Sequence, residues 1–246
     1  LLAQKGFEGP IDIIDKEVFY DLDRLTYSPS PYHYPAKRMH LKPWIASREC
    51  YPGIQGTLEL LSHENLIATD IDEIQFNGLG LYLDYPFNNP EPTEYWNAIY
   101  SVQWAFAMAI LGYQPGPDWY AKERFEDPEV LALTKKIRIY QANADAEEEY
   151  SRGSTKLGTY PNNVEIHAKG NRYIINKSGV ETLGSPENPM PIDQLVQKFR
   201  SQSVPIIGEK QSALLVDSLL HLDHQDNLAK IASLYKSQSF HSSDRL

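Results

Sequence analysis

Three short stretches of the sequence alternate apolar with polar residues: 136–141, 163–169 and 172–176. Alternation with a period of two is typical of β-strands that bury one face. Gly170 and Asn171 lie between the last two stretches and predict a hairpin turn. A fourth stretch, 71–76, also has a strand composition. These segments predict an antiparallel sheet.

Other segments carry apolar residues at helical spacing. Asp127 followed by Pro128 is a typical helix start, with a capping side chain before a proline at the first helical position. The segment from Thr93 to Gly112 is apolar on most faces, so we expect one long, buried helix there. The predicted helices cover residues 52–62, 93–112, 127–135, 192–199, 211–222 and 227–235. Strands with helices on both sides along the chain indicate the α+β class.

The remaining segments are interpreted as connections. Residues 7–37 are rich in turn formers and read as a connector with a short helix. Residues 38–45 lie between prolines and are interpreted as a short strand. The acidic residues 144–150 and the following 152–155 predict a solvated loop.

Composition excludes several classes of protein. The net charge of −10 leaves no basic footprint for nucleic acid, although a few local cations still allow a small anionic substrate. The most apolar run, 99–111, is too short and too polar for a membrane span. Cys50 is the single cysteine, which favours a reducing, cytoplasmic compartment. His221 and His224 have a spacing compatible with a metal pair, but a solvated helix explains them equally well, so we predict no metal and no cofactor.

Several short motifs follow one another in the order found in a known family. The order of signals from Lys42 to Phe199 resembles the C-terminal half of the MmgE/PrpD family, which includes 2-methylcitrate dehydratase, cis-aconitate decarboxylase and iminodisuccinate epimerase. The motifs are Gly6-Phe7-Glu8-Gly9-Pro10, Lys42-Pro43-Trp44-Ile45-Ala46-Ser47-Arg48, the helix Ile99–Ala107, Asp127-Pro128-Glu129-Val130 with Leu133, Gly184-Ser185-Pro186-Glu187-Asn188-Pro189-Met190, and Lys198-Phe199.

The resemblance implies a domain plan. In that family a helical domain carries a smaller α+β lid, and the active site lies between the two. Residues 1–40 would then be a connector from the helical domain, 41–190 the lid, and 191–246 helices that return to the helical domain. The family's N-terminal helical half, which supplies an Asp and His residues, would precede Leu1. The resemblance also implies a homodimer, with the helical half supplied either by the same polypeptide or by a separate chain.

Two cations are the main site candidates. Dehydrating or decarboxylating a polycarboxylate requires cations that hold carboxylates and stabilise enolate-like charge. Lys42 and Arg48 suit those roles. The alternative interpretation is that both are surface charges near the end of a strand. The resemblance makes Lys42 the best catalytic candidate and Arg48 a carboxylate clamp. His40, two residues from Lys42, is a further substrate-binding candidate, with simple alternation along a strand as the alternative.

Two positions depart from the family pattern. Tyr51 stands where a His is common and is taken as a catalytic candidate, although a phenol acts by default as a hydrogen-bond donor. Trp104 stands where a Tyr is usual, and an indole cannot act as an acid or base near neutral pH. Ser101 lies one helical turn earlier and would share its face, so both are candidates for substrate binding.

Two functions remain in competition. The first is a cofactor-independent lyase or isomerase that dehydrates, decarboxylates or epimerises a small di- or tricarboxylate. The second is a non-catalytic binding or assembly subunit that retained the fold, as the changes at Tyr51 and Trp104 suggest. The enzyme hypothesis requires Lys42, Arg48, Ser101 and Trp104 to converge on one cleft.

Overall fold

The computed structural model describes residues 40–78, 80–141 and 161–235. The predictions for 7–37 and 144–155 therefore lie outside the described residues. Four strands and seven α-helices occur in the described part: α1 (Tyr51–His63), β1 (Ile71–Gly78), α2 (Tyr95–Tyr100), α3 (Val102–Ile110), α4 (Pro128–Thr134), β2 (Ile137–Gln141), β3 (Pro161–Ala168), β4 (Asn171–Ser178), α5 (Ile192–Ile207), α6 (Glu209–Leu220) and α7 (Leu228–Leu234). This arrangement confirms the predicted α+β class.

The four strands form one mixed sheet in the order β2-β1-β3-β4. The β1–β3 and β3–β4 pairs are antiparallel, as predicted, but β2 runs parallel to β1, with Ile74 opposite Ile137. The expectation of a wholly antiparallel sheet was therefore wrong at this edge. The reason is the long connection between β1 and β2, which contains α2, α3 and α4 and provides the crossover that parallel strands need.

The β3–β4 hairpin turns one residue earlier than predicted. Its two loop residues are Lys169 and Gly170, with φ of 52° and 74°, while Asn171 already belongs to β4. Positive φ at both positions is the geometry of a tight hairpin whose twist matches that of the strands. Glycine supplies that conformation at the second position without steric cost.

The main core lies between the sheet and α1 and α3. The β1 side chains of Ile71, Ile74 and Phe76 are fully buried there. Helix α1 approaches β1 so closely that a Cβ at Gly53 would lie 2.5 Å from the Phe76 ring. Burial of these apolar side chains is the main force that fixes the helices on the sheet.

The predicted long helix over 93–112 is in fact two helices. Ser101 adopts an extended conformation (φ −62°, ψ 119°) and ends α2. Its side chain then caps α3 by accepting a hydrogen bond from the Trp104 amide. Serine offers the backbone this alternative to a helix interior, which is why the continuous apolar pattern misled the prediction. The N-cap position of α2 is occupied by Glu94, so Thr93 does not cap this helix.

The three predicted C-terminal helices are confirmed as α5, α6 and α7. They pack mainly against one another, and their buried residues Leu215 and Ile231 lie outside the main core cluster. None of the helices in the described ranges combines the length and the apolar character that a bilayer span demands.

Candidate functional site

Residues 40–48 form the loop that carries the predicted cations. This segment is irregular and ends in a short 3-10 turn, Arg48–Cys50, so the predicted strand over 38–45 is wrong in its described part. The Leu41 amide donates to the Gly184 carbonyl at 2.8 Å. Gly184 has φ of 90°, and a Cβ there would lie 2.0 Å from the Leu41 carbonyl oxygen. Glycine is therefore required for this close approach.

Two tyrosines hold the middle of the loop by its carbonyl groups. The Tyr51 hydroxyl lies 2.6 Å from the Trp44 carbonyl oxygen and 3.0 Å from that of Ala46. The Tyr120 hydroxyl donates to the Ile45 carbonyl. Burial, first, and then the electrostatic influence of Cys50 raise the pKa of Tyr120. The Tyr120 phenol therefore stays a protonated donor at neutral pH.

Lys42 is the exposed cation of this loop. Its Nζ donates to the Ala46 carbonyl at 3.1 Å, which folds the side chain back over the loop. Lys198 of α5 reaches the same place, where its Nζ donates to the Lys42 carbonyl. Partial burial, followed by the neighbouring charge of Lys42, lowers the pKa of Lys198. The Lys198 ammonium group therefore lies against the backbone of Lys42.

His40 and Arg48 lie beside each other at the ends of the same loop. Burial and then the charge of Arg48 lower the pKa of His40 below 6.5, and Glu187 opposes that effect. His40 is therefore mainly neutral at pH 7. We call His40, Lys42, Arg48 and Lys198 the basic cluster. It joins three of the predicted site residues to one that sequence reasoning missed.

Tyr51 belongs to the support of the loop. Its ring is 2% exposed, and its hydroxyl is used by backbone carbonyls. The predicted catalytic role needs a hydroxyl open to a ligand, and the geometry does not favour it. We therefore reassign Tyr51 as a positioning residue.

Ser101 and Trp104 lie in the core, where they are 1% and 0% exposed. The Ser101 hydroxyl accepts from the Trp104 amide at 3.0 Å and donates to the Asn89 carbonyl at 2.6 Å. The Trp104 indole donates to the Trp119 carbonyl at 3.0 Å and stacks on Phe125. Both polar groups already have partners, so the structure does not bring these two residues together with Lys42 and Arg48 to bind substrate.

Trp104 is nevertheless connected to the loop through its partner. Trp119, which accepts the indole hydrogen bond, is followed directly by Tyr120, whose hydroxyl binds the Ile45 carbonyl. Sequence reasoning missed Tyr120 because nothing in its neighbourhood marks it. It missed Lys198 because the Lys198-Phe199 motif indicated the family and did not indicate what Lys198 does.

A cleft of about 330 Å³ opens beside Lys198, between α5 and the loop after α3. Its walls include the amide side chains of Gln114, Gln194 and Gln197 and the Ser201 hydroxyl. Pro43 forms another part of the wall and belongs to residues 40–48, which we call the basic loop. The lining therefore offers hydrogen-bond donors next to a cation, which suits an acidic or amide-bearing small molecule.

His221 and His224 are exposed, and their ring centroids are 6.2 Å apart. They lie just after α6 rather than within it. Within the described ranges, no group of three His, Cys, Asp or Glu side chains comes together in a way that could hold a metal ion.

The fold and the basic cluster define an α+β domain that carries a group of cations where it meets a helical segment. The family model of the MmgE/PrpD C-terminal domain matches residues 45–222, which is more than half of the 246 residues. The chain therefore belongs to the MmgE/PrpD family, as its motifs predicted, and that family consists generally of lyases and isomerases. A search of curated proteins gave no match.

Proposed function

We propose that the chain is the lid-bearing part of an MmgE/PrpD-type lyase or isomerase that acts on a small di- or tricarboxylate without a cofactor. The convergence of Lys42, Arg48, Ser101 and Trp104 that the enzyme hypothesis required fails at Ser101 and Trp104. The basic cluster, which keeps Lys42 and Arg48 on one loop, is therefore the observation that carries the proposal. A protein with a net charge of −10 gathers His40, Lys42, Arg48 and Lys198 around one loop. The Tyr51 and Tyr120 hydroxyls fix that loop by hydrogen bonds to its carbonyl groups.

In this proposal, each residue of the loop has a distinct role. Lys42 and Arg48 bind substrate carboxylates and stabilise the negative charge that develops when the neighbouring carbon loses a proton or a carboxyl group. The neutral imidazole of His40 donates a hydrogen bond to a carboxylate. Tyr51 and Tyr120 position the loop. A His or Asp from the family's N-terminal helical half transfers the proton.

The domain plan fits the same proposal. Residues 41–190 form the lid, and residues 191–246 pack on the helical domain, whether that domain belongs to the same polypeptide or to a partner chain. The active form is a homodimer in the cytoplasm, where the buried Cys50 thiol stays reduced.

A second function is favoured by one observation. The polar atoms of Tyr51 and Trp104 are committed to backbone carbonyls. At the basic cluster, His40 supplies an imidazole, and burial followed by the charge of Arg48 lowers its pKa. A chain with so few proton-transfer groups of its own is also suited to a non-catalytic subunit that binds a polycarboxylate or supports assembly.

The test is calorimetric binding of citrate-like and aspartate-like polycarboxylates, with and without a co-expressed helical domain from the family. We compare the wild type with Lys42→Ala and with Lys210→Ala, an exposed lysine of α6 that changes the net charge equally. Saturable binding that Lys42→Ala abolishes and Lys210→Ala preserves supports the site, and turnover by the complex then establishes the enzyme. Binding without turnover favours the second function. Binding that is unchanged in the Lys42→Ala variant contradicts both functions.

A further inference from the structure

Lys198 and Lys42 form an unusual pair of cations. The Lys198 ammonium group donates a hydrogen bond to the Lys42 carbonyl, and burial followed by the charge of Lys42 lowers the pKa of Lys198. Neither lysine forms an ion pair with a carboxylate within the described residues, whereas Lys135, Lys169 and Lys177 each have one. Like charges held together without a counterion raise the local positive potential, and an anion that reaches both relieves it.

The Lys198 ammonium still has hydrogen-bonding capacity. It carries three N–H donors, and one of them goes to the Lys42 carbonyl. In the part of the chain that the structure describes, Lys198 Nζ has no other acceptor. Lys198 also lines the 330 Å³ cleft, together with Ser201, Gln194 and Gln197. Its remaining N–H donors therefore lie at this cleft.

The geometry of the loop relates this cleft to Lys42. Pro43, the residue after Lys42, forms part of the cleft wall. The Leu41 amide and the Lys42 carbonyl are both bound, to Gly184 and to Lys198 respectively. Lys42 is therefore held beside Lys198, one residue from the cleft wall.

We propose that Lys198 binds a second carboxylate of the ligand whose first carboxylate is bound by Lys42, so that the site selects dicarboxylates over monocarboxylates of equal size. This inference rests on the proposed function, because it assumes that Lys42 binds a carboxylate. It adds a specificity-determining residue from the C-terminal helices. The purely structural alternative is that Lys198 serves just to hold the Lys42 carbonyl.

A matched pair of ligands separates the two roles. Glutarate has two carboxylates, and its monoamide has the same length with one. We measure the dissociation constants of both for the 246-residue chain by isothermal titration calorimetry at low ionic strength. The variants are Lys198→Met, Lys198→Arg, Lys42→Met and the exposed control Lys210→Met, each checked for folding by circular dichroism and thermal melting.

We expect the wild type and Lys210→Met to prefer glutarate over the monoamide by about tenfold, the effect of one charge-assisted hydrogen bond. Lys198→Met should bring that preference close to one, and Lys198→Arg, which keeps the charge, should retain most of it. If Lys198→Met weakens both ligands equally and leaves the preference unchanged, the role of Lys198 is structural and the inference is overturned, while the proposed function stands. If the wild type binds neither ligand, alone or in complex with a co-expressed helical domain from the family, or if Lys42→Met has no effect, the proposed function itself fails.

Discussion

The Tyr51 hydroxyl is the main link between α1 and the basic loop. Its carbonyl partners on Trp44 and Ala46 are close enough for one shared proton to serve both. The Ala46 carbonyl also accepts from Lys42, whereas the Trp44 carbonyl has Tyr51 as its donor. Removing this hydroxyl leaves a carbonyl group at a buried site without its donor.

We therefore expect Tyr51→Phe to lower the free energy of unfolding by about 1–3 kcal/mol. Chemical denaturation provides the measurement. The control is Tyr140→Phe, because Tyr140 lies on β2 with 44% of its surface exposed. Equal stability of the two variants would show that the Tyr51 hydroxyl does not hold the loop.

Glu165 gives a prediction about acid stability. Hydrogen bonds from Arg172 and His167 lower the pKa of Glu165 from 4.5 to about 2. A depressed carboxylate pKa stabilises the fold fully above the unfolded value, and this stabilisation is lost as the pH falls through the folded value. The relevant window therefore lies between pH 4.5 and about 2.

We expect the melting temperature of the wild type to fall across this window more steeply than that of Glu165→Gln. The neutral amide cannot lose this charge-dependent stabilisation. Melting curves at several pH values check the prediction. Glu123→Gln, at an exposed position, should keep the wild-type slope. A Glu165→Gln curve parallel to the wild type would contradict the assignment.

At the scale of the residue, sequence reasoning identified the cations and misplaced their neighbours. Lys42, Arg48 and His40 do lie together on one loop, because short sequence separation keeps them near each other. Ser101 and Trp104 could not be placed from the sequence. A polar atom satisfied by a backbone carbonyl in the core has the same sequence signature as one that awaits a ligand.

Among the elements, the break between α2 and α3 depends on Ser101. Its hydroxyl satisfies the Trp104 amide, one of the free donors at the start of α3, and also binds the Asn89 carbonyl. If this is its role, removing the hydroxyl should affect folding rather than ligand binding.

We expect Ser101→Ala to lower the free energy of unfolding by about 1–2 kcal/mol, the usual effect of losing a helix cap. Urea denaturation measures this loss. Ser233→Ala, an exposed position in α7, should change the stability by less than about 0.5 kcal/mol. A Ser101→Ala variant of normal stability that binds polycarboxylates weakly would restore the original prediction that Ser101 contacts substrate.

Gly184 offers a test of the contact between the basic loop and the turn after β4. Alanine there requires a positive φ and also clashes with the Leu41 carbonyl. Gly112 has a similar φ of 75° but open space around its Cα, so it serves as a matched control. We expect Gly112→Ala to cost about 1–2 kcal/mol and Gly184→Ala about 3 kcal/mol or more.

Thermal and chemical denaturation give both values. Calorimetry should also show weaker polycarboxylate binding for Gly184→Ala, because the loop that carries Lys42 would move. Two variants with equal stability would show that the contact between Leu41 and Gly184 adapts without cost.

Most elements were predictable because their signals are local. The proline after Asp127 marks the start of α4, and alternation marks β2, β3 and β4. The relative direction of β2 was not predictable in the same way. Alternation specifies which side chains face the core but contains no information about which neighbour a strand pairs with.

The whole molecule exposes apolar side chains along its C-terminal helices. Ile206, Leu214, Leu220 and Leu228 have 58%, 45%, 49% and 64% of their surface exposed. Exposed apolar side chains that occur together on neighbouring helices are typical of a surface that another element covers. We propose the family's N-terminal helical domain as that element.

We expect the chain to bind a co-expressed helical domain from the family, and Leu214→Lys combined with Leu228→Lys to abolish that complex. Analytical ultracentrifugation provides the measurement. Ile67→Lys, which replaces an equally exposed apolar residue far along the chain from these helices, is the control. A complex that survives the double substitution would place the partner elsewhere.

The position of β1 in the sheet has a consequence for synthesis of the protein. Strand β1 lies in the interior of the sheet, yet both of its partners, β2 and β3, come later in the chain. A nascent polypeptide that has emerged as far as residue 136 therefore presents β1 with two open edges, which favour aggregation. The ribosome must release residues up to Ala168 before both edges of β1 are paired, so folding of this unit depends on strands that are made long after β1.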